Sequence, residues 1–400
     1  MRVDIISKEY PPAIYGGAGV HVSELVRALR ARGDVDVQVR CFGAPRDEAG
    51  TTAYADLTEL GGANAALQTL GVDVAIAQDC QGTDLTHSHT WYANMAGHLG
   101  GLLSGAPHVI TAHSLEPMRP WKAEQLGGGY RVSSFVEKTA YESAAAVIAV
   151  SAGMKADILR AYPSLDPDRV PVVHNGIDSQ LWQPINDEQV CRKHGMDPDK
   201  PAVTFVGRIT RQKGLPYLMR AVAELPPGVQ IVLCAGAPDT PEIQAEVEGL
   251  LANLREKRGE EGIVWIPQML PRHEVIALLT ASTVFACPSV YEPLGIVNLE
   301  AMACNLPVVA TATGGIPEVV VPGETGWLVP IEQVQDGTGT PVDPDRFVAD
   351  LAAALNEAVS DLARAEALGK AGRTRAVEHF SWASIGDKTM EVYRSVLDRS

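Results

Sequence analysis

Several absences bound what this 400-residue chain can be. It has no surplus of positive charge: 33 Lys and Arg stand against 49 Asp and Glu, a net charge of -16. Nucleic acid and anionic membrane surfaces need a basic footprint, so neither is expected as the main partner. It has no paired cysteine spacing. Cys41, Cys80, Cys191, Cys234, Cys287 and Cys304 are scattered through apolar runs and read as reduced core thiols, not as a disulfide framework or a metal knuckle. No apolar run approaches the roughly 20 residues of a membrane span. The opening "MRVDIISKEYPP" enters a strand pattern without the apolar core of a secretory signal, which points to the cytoplasm. Internal repeats and low-complexity tracts are missing too.

What is present is an ordinary globular composition, 46% hydrophobic and 20% charged, in a length suited to about two domains. Short β-branched runs alternate with longer helical patterns, the mark of parallel sheets covered by crossover helices. "RVDIIS" (2–7) is the first strand, and "IYGGAGVH" (14–21) is a Gly-rich turn opening a helix with Val22, Leu25, Val26 and Leu29 at helical spacing. "DVQVRCF", "DLTHSH", "HVITAHS" and "AVIAVS" continue the first α/β domain. An Asn-Gly turn and a Pro interrupt the rhythm at residues 172–187, and it restarts at "AVTFVGR" (202–208). The boundaries expected are therefore 1–183 and 184–381. Residues 332–345 read as a surface loop, and only helical patterns follow them.

Ligands of open parallel sheets gather at the carboxyl ends of the strands, so two such sheets facing across a cleft direct attention to the loops after strands. "YEPLGIVNLEAMA" (291–303) follows the strand "TVFACPS". Glu292 lies in the loop, Gly295 permits a tight approach, and a helix begins near Ile296 or Val297 with Glu300 about one turn inside. N–H groups of Gly295, Ile296 and Val297 suit a diphosphate, and carboxylates suit sugar hydroxyls. "GRITRQKG" (207–214) places Arg208, Arg211 and Lys213 in one short turn after another strand, within a region of net charge -10. In "TATGGIPEVV" (311–320), Gly314 and Gly315 would let backbone approach a ligand. Taken singly, each of these is also what a solvated loop or plain turn would show.

Together, Arg208 and Lys213, the pair Glu292 and Glu300, and "GGIPE" resemble the donor site of the retaining GT-B glycosyltransferases. That resemblance implies two Rossmann-like α/β domains facing across a cleft, with a C-terminal helix, from about residue 382, crossing back onto the first domain. It implies that Arg208 and Lys213 neutralise the donor diphosphate, that Glu300 binds ribose, and that Glu292 meets the transferred sugar. "KEYPPAIYGGAGVH" is similar to the glycine loop of glycogen and starch synthases, with Gly16 and Gly17 beside the donor phosphates. Those enzymes carry Lys before the glycines where this chain has Ile14 and Tyr15. "DLTHSHTWYANMAGH" is similar to their Asp-x-x-His-x-His-Asp-Trp run, with Thr90 in place of Asp. His113 in "TAHSLEPMRPWKAEQLGGGY" matches the His that contacts the donor hexose.

Within the family the likeness is to the actinobacterial-type glycogen synthases that make α-maltose-1-phosphate. It implies an ADP-glucose donor, α-glucose-1-phosphate as acceptor and α-1,4-glucan as a related one, in glycogen biosynthesis. His89, Thr90, Arg119, Lys122 and Arg131 are the candidate acceptor residues. His113, Glu292, Arg208 and Lys213 are the candidate catalytic residues. No metal is expected, because the cations do a metal's work; His87 and His89 are taken to lie on opposite faces of one strand, with no Cys or carboxylate to complete a ligand set. Three alternatives stand beside this. One is a synthase acting only on glucan, and another a lipid mannosyltransferase, although the first 183 residues carry 14 basic and 20 acidic side chains and no basic amphipathic helix. The third is a two-domain dinucleotide-dependent oxidoreductase, for which "GGAGVH" lacks the third Gly of G-x-G-x-x-G. The base of the donor and the oligomeric state stay open, a homodimer being admitted.

Overall fold

The computed structural model describes residues 1–119 and 127–399, so Lys122 lies outside the described residues. The chain divides into two units, Met1–Gly176 with Trp382–Ser400, and Ile177–Ser381. The division falls earlier than the break in sequence rhythm at 183/184. The reason is that residue 177 is already tied to the second unit: the Ile177 N–H donates to the Phe380 carbonyl at 2.7 Å, and Arg373 donates to the Trp182 carbonyl at 3.2 Å.

In the first unit six parallel strands, β1 (Arg2–Ser7), β2 (Asp36–Phe42), β3 (Thr51–Tyr54), β4 (Leu85–His89), β5 (His108–Ala112) and β6 (Ala146–Ala149), lie in the order β3-β2-β1-β4-β5-β6. Helices α1 (Gly17–Arg32), α2 (Ala65–Gln78), α3 (Trp91–Ser104) and α4 (Gly129–Ser143) make crossovers between strands, and α5 (Ala152–Ala161) follows the last of them. Parallel strands covered on both faces should be continuous apolar runs. Most are, but β4 reads Leu-Thr-His-Ser-His and is buried throughout. Buried polar groups of that kind need partners, and they mark where this unit departs from pure packing.

In the second unit β7 (Ala202–Arg208), β8 (Gln230–Gly236), β9 (Ile263–Ile266), β10 (Val284–Cys287), β11 (Val308–Thr311) and β12 (Gly326–Val329) form a sheet of order β12-β11-β10-β7-β8-β9. Its helices are α6 (Glu188–Lys193), α7 (Leu215–Val222), α8 (Pro241–Arg258), α9 (Arg272–Thr280), α10 (Ile296–Ala303), α11 (Ile316–Val319), α12 (Pro344–Ser360) and α13 (Leu362–His379). In each sheet the unit's first strand sits beside its fourth. The strand order reverses there, opening a crevice at the carboxyl ends of β1 and β4 in one unit and of β7 and β10 in the other.

The last helix, α14 (Trp382–Leu397), belongs to the first unit. Trp382, Ile385, Met390, Tyr393 and Val396 are buried in one cluster with residues of α1 and β1, including Leu25, Leu29 and Ile5. Each fully buried side chain of this size contributes about 1.5–3 kcal/mol, so the helix is an integral part of that core. Among the described residues no helix is long and apolar enough to cross a membrane.

Candidate active site

The reversal point of the second unit collects the residues expected to form a donor site. β7 delivers Arg208 at its last position, and a 3-10 turn, Arg211–Lys213, follows, with the Thr210 hydroxyl accepting from the Lys213 N–H at 3.3 Å. Gly214 then takes φ +63, and a Cβ there would overlap the Pro288 carbonyl of the neighbouring β10 loop. That close approach carries Lys213 to the β10 loop, where its Nζ lies 2.7 Å from Glu292 Oε2. Ser289 Oγ also donates to that carboxylate, at 3.2 Å. Burial by itself would depress the Lys213 ammonium, but the Glu292 charge overrides it and holds the group above its usual value. Lys213 is thus a fixed cation. Arg208 is more open, its Nη1 3.0 Å from Asp239 Oδ1, a partner that sequence reasoning missed because it enters from the loop after β8.

Gly314 and Gly315 do a different task from the one expected. Gly314, at φ +54, packs against the Glu292 backbone, where any Cβ would overlap the carbonyl oxygen, and the Gly315 N–H donates to that carbonyl at 3.0 Å. These glycines clamp Glu292 from behind. Gly295, at φ +94, is the N-cap of α10, which begins at Ile296 as expected, with Val297 second. Glu300 is its fifth residue. Burial pushes the Glu300 carboxyl up to about 7, against the pull of Arg272 and Lys213.

In the first unit the corresponding reversal point is built of imidazoles. Ser7 of β1 is level with His89 of β4, and His89 is level with Thr111 of β5. His87 and His89 share one face, their ring centroids 4.3 Å apart, which corrects the expectation of opposite faces: residues two apart on a strand point the same way. His87 is held between the Tyr393 hydroxyl, at 2.6 Å, and Thr111 Oγ1, at 2.8 Å. His89 Nδ1 lies 3.0 Å from His113 Nε2. Thr90, which caps α3, has φ 65 and ψ 161, a region nearly reserved for glycine.

His21 joins them, and sequence reasoning missed it. As the fifth residue of α1 it places its ring centroid 4.7 Å from that of His113, while its Nδ1 meets Asn175 Oδ1 at 2.6 Å. An amide oxygen only accepts, so Nδ1 carries the proton and Nε2 presents a lone pair. Ligating atoms of His21, His89 and His113 lie within 4.8 Å of one another. His89 Nδ1 and His113 Nε2 already face each other at hydrogen-bonding distance, so those two atoms are engaged with one another. Burial drives every one of these imidazoles toward neutrality, His21 down to about 4 and His89 and His113 well below the usual value, with mutual repulsion adding to it for the latter two.

The glycine loop is held by Glu9, whose Oε2 accepts from the Tyr15 and Gly16 N–H groups at 2.9 and 2.8 Å. The Gly16 N–H is therefore already occupied, and Gly17 opens α1 beside it. Arg119 Nη1 donates to Ser114 Oγ at 3.1 Å, next to His113. The Arg131 side chain is exposed on α4 and makes no hydrogen bond or ion pair among the described residues.

Two Rossmann-like sheets of this order, each with polar residues converging on its reversal point, have the architecture of GT-B glycosyltransferases. Residues 15–181 match Glycosyltransferase Family 4 and residues 186–375 match Glycosyl transferases group 1. The chain is 55% identical to the alpha-maltose-1-phosphate synthase of Mycolicibacterium smegmatis, covering 99% of this chain and 100% of that protein, and 52% identical to that of Mycobacterium tuberculosis over the same shares. Sucrose-phosphate synthase from Thermosynechococcus elongatus superposes with a TM-score of 0.76 at 25% identity, covering 100% of both chains. The chain belongs to this family of glycosyltransferases.

Proposed function

We propose that the chain transfers α-glucose from ADP-glucose to α-glucose-1-phosphate, with retention of configuration, giving α-maltose-1-phosphate, and that α-1,4-glucan is a related acceptor. Full-length similarity to the two mycobacterial synthases supports this reaction, and one geometric observation carries the chemistry: the Lys213 ammonium is fixed 2.7 Å from Glu292 at the reversal point of the second sheet. In this reading the bond from the glucose C1 to the β-phosphate oxygen breaks as negative charge grows on that oxygen, and Lys213 and Arg208 stabilise the charge without moving. The acceptor 4-hydroxyl adds to C1 from the face that ADP leaves, and its proton passes to the departing phosphate. Glu292 is engaged by Lys213 and Ser289, which suits it to hydrogen-bond the sugar and not to attack it. His113, neutral and stacked on His89, offers its second ring nitrogen, Nδ1, to the hexose without adding charge beside the reacting carbon.

The other parts of the reading are inferences of the same kind. Glu300 binds the ribose; His89 and Thr90 border the acceptor sugar; Gly17 faces the phosphates. No metal takes part in the transfer. Unpaired thiols at all six cysteines support a cytoplasmic setting, and a second copy of the chain is the partner to test by light scattering. The decisive experiment incubates the protein with ADP-glucose and either α-glucose-1-phosphate or glycogen, with products identified by proton NMR. A disaccharide phosphate with both anomeric centres α, formed faster than glucan extension, is the expected result. Glucan extension alone would make the chain a glucan synthase, and no ADP release with either acceptor would overturn the reading.

A further inference from the structure

Lys8 follows β1 directly, and Ser7 is level with His89, so Lys8 leaves the first sheet beside Thr90 and the start of α3. Its Nζ lies 4.1 Å from the ring centroid of Tyr92, the second residue of α3. Among the described residues it makes no hydrogen bond or ion pair. Burial depresses its ammonium, against the pull of Asp56 and Glu9. A partly buried cation that rests on an aromatic face, with carboxylates near it but none bonded to it, is incompletely compensated. Burial and then Glu116 raise the Tyr92 phenol, and the charge of Arg119 lowers it. Arg119 uses Nη1 on Ser114, and its Nε is buried without a partner. Two of the carboxylates that face this corner are engaged elsewhere: Glu9 holds the glycine loop, and Glu116 Oε2 accepts from Ser133 Oγ at 2.5 Å.

We infer that Lys8, seated on the Tyr92 ring, and Arg119, bonded to Ser114 beside His113, form a subsite at the carboxyl end of the first sheet for a phosphate monoester that holds the anionic end of the acceptor. Lys8 supplies a point charge, Arg119 a directional fork, and Ser114 a hydroxyl adjacent to His113. The subsite also answers the missing Lys before the glycines: this chain carries its cation at the end of β1, seven residues upstream of Tyr15. The assignment rests on the transfer reaction proposed above, and it adds which groups choose a phosphorylated acceptor over a neutral glucan.

The test compares the wild-type protein with Lys8→Met and Lys8→Arg. In steady-state assays the ratio of kcat/KM for α-glucose-1-phosphate to kcat/KM for a neutral maltooligosaccharide should fall about 30-fold in Lys8→Met, through KM, as expected for loss of a charge-assisted contact. Lys8→Arg should restore most of it, and thermal melts of both variants should match the wild type. An unchanged ratio, or equal losses with the two acceptors, would overturn the subsite. Should the wild type use no phosphorylated acceptor, the reaction itself is wrong, but titration calorimetry with inorganic phosphate still reads the subsite. Binding weakened about 30-fold in Lys8→Met supports it, and equal binding overturns it.

Discussion

The two sheets share one strand order, yet their reversal points are chemically opposite. In the second unit opposite charges are locked together, Lys213 on Glu292 and Arg208 on Asp239. In the first, His21, His87, His89 and His113 are all buried toward neutrality, with Asn175, Tyr393 and Thr111 as uncharged partners. The contrast teaches where charge is wanted in the proposed reaction. A leaving diphosphate needs rigid cations, whereas a sugar carbon passing through a positively charged state is better served by neutral nitrogens than by imidazolium.

Removing the fixed cation should break the comparison most severely. Lys213→Ala is expected to lower kcat about 1,000-fold, in line with the loss of one preorganised stabilising group, measured as initial rates of ADP release. A drop under tenfold would deny Lys213 its role. Acid should separate the units next. His21 titrates near 6.5 when unfolded and near 4 in the fold, so the unfolded state binds more protons between those values and stability falls as pH drops through that window. That one group costs about 3 kcal/mol by pH 4, and its neighbours act in the same direction. Hydrogen exchange at pH 5 against pH 7 should therefore show β1, β4 and β5 losing protection before β7 and β10.

Glu300 gives an effect of opposite sign. Its carboxyl sits near 7, so the fold holds a proton that the unfolded chain has lost between about 4.5 and 7, and stability falls as pH rises through that range. Ribose hydroxyls favour the ionised form, so ADP affinity should rise about tenfold from pH 6 to pH 8, and Glu300→Gln should flatten that dependence in calorimetry. The smallest effect concerns backbone strain in the first unit. Thr90→Gly should relieve about 1 kcal/mol at φ 65, giving an unchanged or slightly raised Tm alongside lower activity; a clear fall in Tm would show that the Thr90 side chain, not strain, matters there.

Much of this architecture was legible in the sequence because buried parallel strands are dense in β-branched residues. β3 was not: Thr-Thr-Ala-Tyr lies at the sheet edge, lacks full burial on either face, and shows no pattern to recognise. In the site, Arg208, Lys213 and Glu292 stood out because each lies within a few residues of a strand end, and Glu300 because it lies one turn inside the helix that follows. His21 did not, because its meaning comes from Asn175, 154 positions away. A signal was available all the same. Glu300 was singled out for lying one turn inside a helix that opens with glycine, and His21 occupies the same fifth position of α1. Lys8 and Glu9 were passed over for a different reason, since a charged pair after a strand is ordinary until a loop and a ring close around it.

The bond from Tyr393 to His87 sets an order of events during synthesis. The first unit is the first to leave the ribosome, but the side chain that fixes His87 belongs to the chain's last helix, 306 residues later. While translation continues, the first sheet has neither that hydroxyl nor the apolar face of α14. The histidine pocket is completed only once residues 382–397 are present, so a product truncated before them would be an inactive one.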